Sequence, residues 1–168
     1  FERYGLAEHL RKRGYERYAI ECAQRRDGHG QTLRVFSSAS PRELLVELVV
    51  AESRAVAGKR LLSIEWLLLQ DPRGRTDAPL LPGQRHPGLG GVSIVVGMLL
   101  MACERLGFDG LTLVPAHFHV AALARRLFAF LSPDDEAFYP DIDLHALKGR
   151  AGYAHRDGTP YPPATPRR

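Results

Sequence analysis

Between residues 82 and 91 the chain reads Pro82-Gly83-Gln84-Arg85-His86-Pro87-Gly88-Leu89-Gly90-Gly91, and apolar residues at helical spacing follow it. The first turn of a helix leaves backbone N–H groups unpaired and carries a partial positive charge, so such a junction attracts phosphate. Gly88, Gly90 and Gly91 have no side chains to hold a diphosphate away from the main chain. Arg85 adds a cation at the mouth of the turn. The plainer reading of the same residues is a glycine-rich connection with no ligand.

Histidine is the second source of chemistry. His117-Phe118-His119 directly follows a short apolar segment, at the carboxyl end where ligand sites of α/β sheets gather, and His86 lies in the glycine-rich loop. Imidazole titrates near neutrality, so an acid/base role or a substrate contact is open to these residues, as are helix capping and packing. Alternating histidines with no neighbouring cysteine or carboxylate pattern are a poor zinc signature, and no metal is expected. Ser93 falls inside a helical pattern, and neither Cys22 nor Cys103 has the surroundings of a nucleophile.

The elements that must position these residues follow from periodicity. Residues 4–13 have helical spacing and end at Gly14. Residues 18–22 read as a strand, followed by a hairpin turn at Asp27-Gly28-His29-Gly30. Strands are predicted over residues 32–37, 44–51 and 61–70, with short connections that make an antiparallel meander. In the last of these, Leu62, Ile64, Trp66 and Leu68 share one face, while Leu61, Glu65, Leu67 and Leu69 share the other. Both rows are largely apolar, which predicts a central strand covered on both sides. Residues 71–84 form a loop dense in proline, glycine and charge. Residues 91–106 read as a helix, 111–114 as a buried strand and 120–131 as a second helix. Strand, helix, strand implies a parallel pair joined by a right-handed crossover, so the sheet is mixed.

In this context Arg85-His86-Pro87-Gly88-Leu89-Gly90 reads R-x-x-G-x-G, and it resembles the pyrophosphate-binding signature of the GNAT superfamily of N-acetyltransferases. In that family a meander precedes the signature, the signature opens a helix, and a parallel strand and second helix follow. The resemblance covers roughly residues 33–131 by element order. It implies an α/β fold of the acyl-CoA N-acyltransferase type, with acetyl-CoA or another acyl-CoA as co-substrate. It also implies transfer of the acyl group to an amine of a small molecule or peptide. By the same resemblance Leu89, Gly90, Gly91 and Val92 would give N–H groups to the CoA diphosphate, with Arg85 and Gly88 beside them. Leu67, Leu68, Leu69 and Gln70 would hold the pantetheine and acyl carbonyl through their main chain.

Glu65 would be the general base, since a carboxylate within an apolar strand is costly unless paired or used. The alternative for Glu65 is a side chain facing water or an arginine. The chain departs from the family in three places. The 71–84 loop is long. Aligning Ala122 with the family's second-helix pattern puts His119 at the usual Asn and Arg126 at the Tyr that protonates the leaving thiolate, so His119 or His117 would have to replace it. No counterpart of the family's last two strands follows Leu131. Two other readings therefore remain open: a catalytically degenerate binding or assembly module of the same fold, and a His-dependent hydrolase or metalloenzyme.

Composition bounds all three. At 168 residues, 45% hydrophobic and 25% charged, the chain is an ordinary globular protein, with one domain expected over residues 1–148 and a proline-rich, mobile tail over 149–168. With only Cys22 and Cys103, far apart, no disulfide framework is expected, which predicts a reducing, cytoplasmic setting. No secretory signal or membrane-spanning run is visible, and a chain opening at Phe1 reads as cut or truncated. The net charge of +4 comes almost entirely from scattered arginines, a pattern of codon bias in a GC-rich bacterial genome rather than of a nucleic-acid surface.

Overall fold

A computed structural model describes residues 5–129, except 26–27, 40, 55, 57, 78–79, 82–83, 114, 116–119 and 121–123. The described part is α/β: a helix α1 (Leu6–Lys12), four strands β1 (Tyr18–Gln24), β2 (Gly30–Ser37), β3 (Leu44–Ser53) and β4 (Leu61–Leu69), then helix α2 (Val92–Leu106) and strand β5 (Gly110–Leu113). They form one five-stranded sheet in the order β1-β2-β3-β4-β5. The first three pairings are antiparallel and the last, β4 with β5, is parallel. The sheet and both helices belong to a compact unit made of Phe1–Gly74 and Gly88–Val114; Arg75–Pro87 and Pro115–Arg168 form another. Among the described residues, no helix is long and apolar enough to cross a membrane.

The β1–β2 hairpin closes where the Arg25 N–H meets the Gly30 carbonyl at 2.9 Å. Gly30 has to be glycine, because a Cβ there would stand 2.6 Å from the Val50 carbonyl oxygen and 2.9 Å from Cδ of Arg25. Each strand then alternates between a face that carries both helices and a face that does not. Val35 and Val46 on the helix-bearing face join Leu6 and Leu10 of α1, with Tyr15, Leu45 and Leu89, in one buried cluster. Ile94 and Met98 of α2 pack against it. The buried side of α2 is Val95, Val96, Leu99 and Cys103, the stripe that helical periodicity predicts. Gly107, left-handed at φ 70°, ends this helix, and the Phe108 N–H closes onto the Cys103 carbonyl at 2.9 Å.

The expected faces of β4 need correction. Val49 pairs with Trp66 but Val50 pairs with Ile64, so Glu65 is an extra residue, a β-bulge. An extra residue resets the alternation. Leu62 and Ile64 therefore share the helix-bearing face with Leu67 and Leu69, while Trp66 and Leu68 turn to the other side with Leu61 and Ser63. Nor is the strand covered on both faces by described residues, since Glu65 is exposed and Trp66 is 39% exposed. That second face carries charge pairs instead: Arg34 Nε meets Glu47 Oε1 at 2.7 Å, and Arg25 pairs with Glu65.

Candidate functional site

The bulge divides β4. Its first half, Leu61–Ile64, pairs with Gly110–Leu113 of β5, and this pairing stops one residue before Glu65. Beyond the bulge the strand runs on to Leu69 with β3 as its only partner strand among the described residues. At its end the chain returns from residue 88. Gln70 bridges Gly88 in antiparallel fashion, and the Leu89 N–H donates to the Leu69 carbonyl at 3.2 Å.

Main-chain directions along this stretch follow from the ladder. Gln70 N–H donates to the Leu45 carbonyl at 3.0 Å, so Gln70 faces β3. Antiparallel ladders alternate, which turns Leu68 toward β3 and turns Leu67 and Leu69 away from it. Among the four residues expected to bind pantetheine, Leu68 and Gln70 thus have their main-chain groups turned to β3, and the Leu69 carbonyl is occupied by Leu89. Leu67 alone keeps both main-chain groups on the open edge, without a partner among the described residues. The Gln70 side chain is also engaged, its Nε2 donating to the Leu44 carbonyl at 2.9 Å.

Leu89 is fully buried and its N–H is held by Leu69, so it does not supply the diphosphate amide expected of it. After it come Gly90 at φ 78° and Gly91 at φ 79°, both in the left-handed region that only glycine adopts without strain. Gly91 caps α2 with no side-chain hydrogen bond, and its carbonyl accepts from Ile94 and Val95 at 3.0 and 3.1 Å. The N–H groups of Gly91, Val92 and Ser93 meet no acceptor among the described residues. On this side the turn is open: Gly90 and Ser93 are exposed and Val92 is 45% exposed.

The other side is covered by α1. His9 Nε2 lies 2.9 Å from the Leu89 carbonyl oxygen, and since a carbonyl only accepts, Nε2 carries the proton. A Cβ on Gly91 would stand 3.2 Å from the His9 ring, and one on Gly90 would stand 3.4 Å from Nη2 of Arg13. Arg13 Nη1 in turn is 4.0 Å from Oδ2 of Asp71, a buried carboxylate just past β4. Asp71 Oδ1 accepts from the Tyr15 hydroxyl at 2.5 Å and from the Arg73 N–H at 3.2 Å. Burial, and then this hydrogen bond, push the Tyr15 phenol up to about 12. Sequence reasoning overlooked His9, Arg13, Tyr15 and Asp71. The signal it had was the i, i+4 spacing of His9 and Arg13, which puts them on one face of a predicted helix.

The remaining expected residues fall elsewhere. Glu65 is ion-paired with Arg25 on the face away from the helices, the paired alternative of the sequence reading. Arg85 is exposed and His86 half-buried in the unit that contains Arg75–Pro87. His117 and His119 lie outside the described residues, as do 121–123 and 130–131 of the predicted second helix and the whole tail. In the described part of that helix the Leu127 and Phe128 N–H groups meet the Ala124 carbonyl at 2.8 and 2.9 Å. No group of three or more His, Cys, Asp or Glu side chains suited to a metal occurs among the described residues. A groove of about 790 Å³ opens on the helix-bearing face, lined by Leu33, Leu48, Val50, Leu62, Leu99 and Leu106. It lies beside the C-terminal half of α2, at the opposite end of that helix from the glycine turn.

Comparison with known proteins finds no matching family model, no matching curated protein and no matching solved structure.

Proposed function

We propose that the chain is an acyl-CoA-dependent N-acyltransferase that moves an acetyl or other acyl group to an amine of a small molecule or peptide. One observation carries this reading: a main-chain edge at Leu67 that is unpaired among the described residues lies next to an amide-rich turn, the two joined through the Leu69–Leu89 hydrogen bond. Leu67 and Leu69 are about 7 Å apart at the rise of a strand. Acyl-CoA is a ligand that needs both features in sequence. Its pantetheine arm carries amides that pair with an extended main chain, and its diphosphate requires several N–H donors close together.

In the reaction so proposed, a neutral amine attacks the thioester carbonyl. The C–S bond breaks, the CoA thiolate leaves and takes up a proton, and the amine loses one. Glu65 is the candidate for receiving the amine proton, and His117 or His119 for protonating the thiolate. A carboxylate already ion-paired with Arg25 has to give up that partner before it can take the amine proton. That pair favours a second reading, in which the same domain binds CoA as a catalytically degenerate binding or assembly module.

Calorimetric titration of the folded protein with acetyl-CoA tests the common part of both readings, and absence of heat at millimolar ligand would remove them together. Turnover of an amine panel then separates enzyme from module.

A further inference from the structure

We infer that Arg13 is the side-chain cation of the glycine turn and pairs with a phosphate oxygen of the bound acyl-CoA. This inference rests on the acyl-CoA reading above and adds to it a binding residue that the R-x-x-G-x-G signature does not contain. The signature assigns the cation to Arg85. Within the compact unit that holds the turn, however, the guanidinium beside Gly90 is that of Arg13, with Nη2 3.4 Å from where a Gly90 Cβ would stand.

Three contacts place it there. His9, one helical turn earlier on α1, is joined through Nε2 to the Leu89 carbonyl at 2.9 Å, which fixes α1 against the turn. Asp71 holds the other side of the guanidinium at 4.0 Å through Oδ2. Asp71 is itself fixed by the Tyr15 hydroxyl at 2.5 Å. The Arg13–Asp71 contact is long and the arginine side chain is 45% exposed, so the guanidinium keeps donors to offer to an anion. Its delocalised charge and fork of N–H groups suit phosphate oxygens. Glycine at 90 leaves the space between guanidinium and main chain open, and any larger residue would bring its Cβ against Arg13.

The experiment titrates wild type, Arg13→Gln, Arg13→Lys and Arg85→Gln with acetyl-CoA, with inorganic pyrophosphate and with pantetheine, which lacks the diphosphate. Loss of one charge-assisted contact predicts acetyl-CoA affinity lower by about tenfold in Arg13→Gln, with a shallower salt dependence and unchanged pantetheine binding. Arg13→Lys, which keeps the charge and loses the fork, should fall between the two, and it carries the test if Arg13→Gln does not fold. Equal acetyl-CoA affinity in wild type and the folded Arg13 variants overturns the inference and leaves the acyl-CoA reading intact. Pyrophosphate binding without acetyl-CoA binding, lost in Arg13→Gln, removes the acyl-CoA reading while Arg13 stands as an anion ligand. If folded wild type binds neither ligand, both ideas fall.

Discussion

The Tyr15 hydroxyl donates to Oδ1 of Asp71 at 2.5 Å, across 56 residues of sequence and inside the protein. This bond ties the start of the sheet to the segment that leaves β4, and it fixes the carboxylate that stands beside Arg13. Replacing Tyr15 by Phe leaves a buried acceptor short of a donor and should destabilise the fold by about 1–3 kcal/mol. Chemical denaturation of the two proteins measures it.

The same phenol predicts an alkaline limit. Its folded value is raised to about 12 from an ordinary 10.0, so ionisation is easier in the unfolded chain. The stability contributed by the neutral phenol is fully present below pH 10.0 and is lost as pH rises toward about 12. Melting temperature measured across this window should fall more steeply in wild type than in Tyr15→Phe. Parallel curves would refute the assignment.

Gly91→Ala tests the turn. At φ 79°, with the His9 ring 3.2 Å from the new methyl, alanine meets both backbone strain and a close contact. A loss of about 1–2 kcal/mol is expected. His9→Ala in the same background should relieve the contact while leaving the backbone strain, so the double variant should lose less than the sum of the two singles.

Glu65→Gln discriminates between the proposed enzyme and the binding module. Both partners of its ion pair with Arg25 are substantially exposed, so stability should change by less than about 1 kcal/mol. If Glu65 is the base, turnover of the best amine falls by about a hundredfold or more at unchanged acetyl-CoA affinity. If the domain only binds, nothing measurable changes.

The cysteines should separate in reactivity. Cys22 is exposed and Cys103 is buried, and burial pushes the Cys103 thiol up. A maleimide should label Cys22 quickly in the native protein and reach Cys103 at the rate of unfolding or local opening. Mass spectrometry after partial labelling reads this directly.

The sheet was largely legible in the sequence because alternation and turn chemistry are local. Strands were expected around residues 18–22, 32–37, 44–51 and 61–70, and a helix at 91–106, close to β1–β4 and α2. The two faces of β4 were not legible. A bulge depends on the partner strand, and nothing in Leu61–Leu69 distinguishes Glu65 as an extra residue from Glu65 as an outward one. The glycine turn was placed correctly at the opening of α2, but the engagement of Leu89 was hidden. Its amide is claimed by Leu69, twenty residues earlier, and its carbonyl by His9, eighty earlier. Long-range partners of this kind leave no periodic trace.

The extra residue in β4 also governs which changes the strand can absorb. Many side chains fit at position 65, where the existing one projects into water beside Arg25. Removing the residue altogether would also leave the faces as they are: Ile64 and Trp66 would become consecutive partners of Val50 and Val49 in a regular ladder, with Leu67 and Leu69 still beneath the helices. The join from Leu69 to Leu89 would keep its register at the same time. Position 65 is therefore permissive both to exchange and to deletion, because the ladder on either side of it is already in register without it.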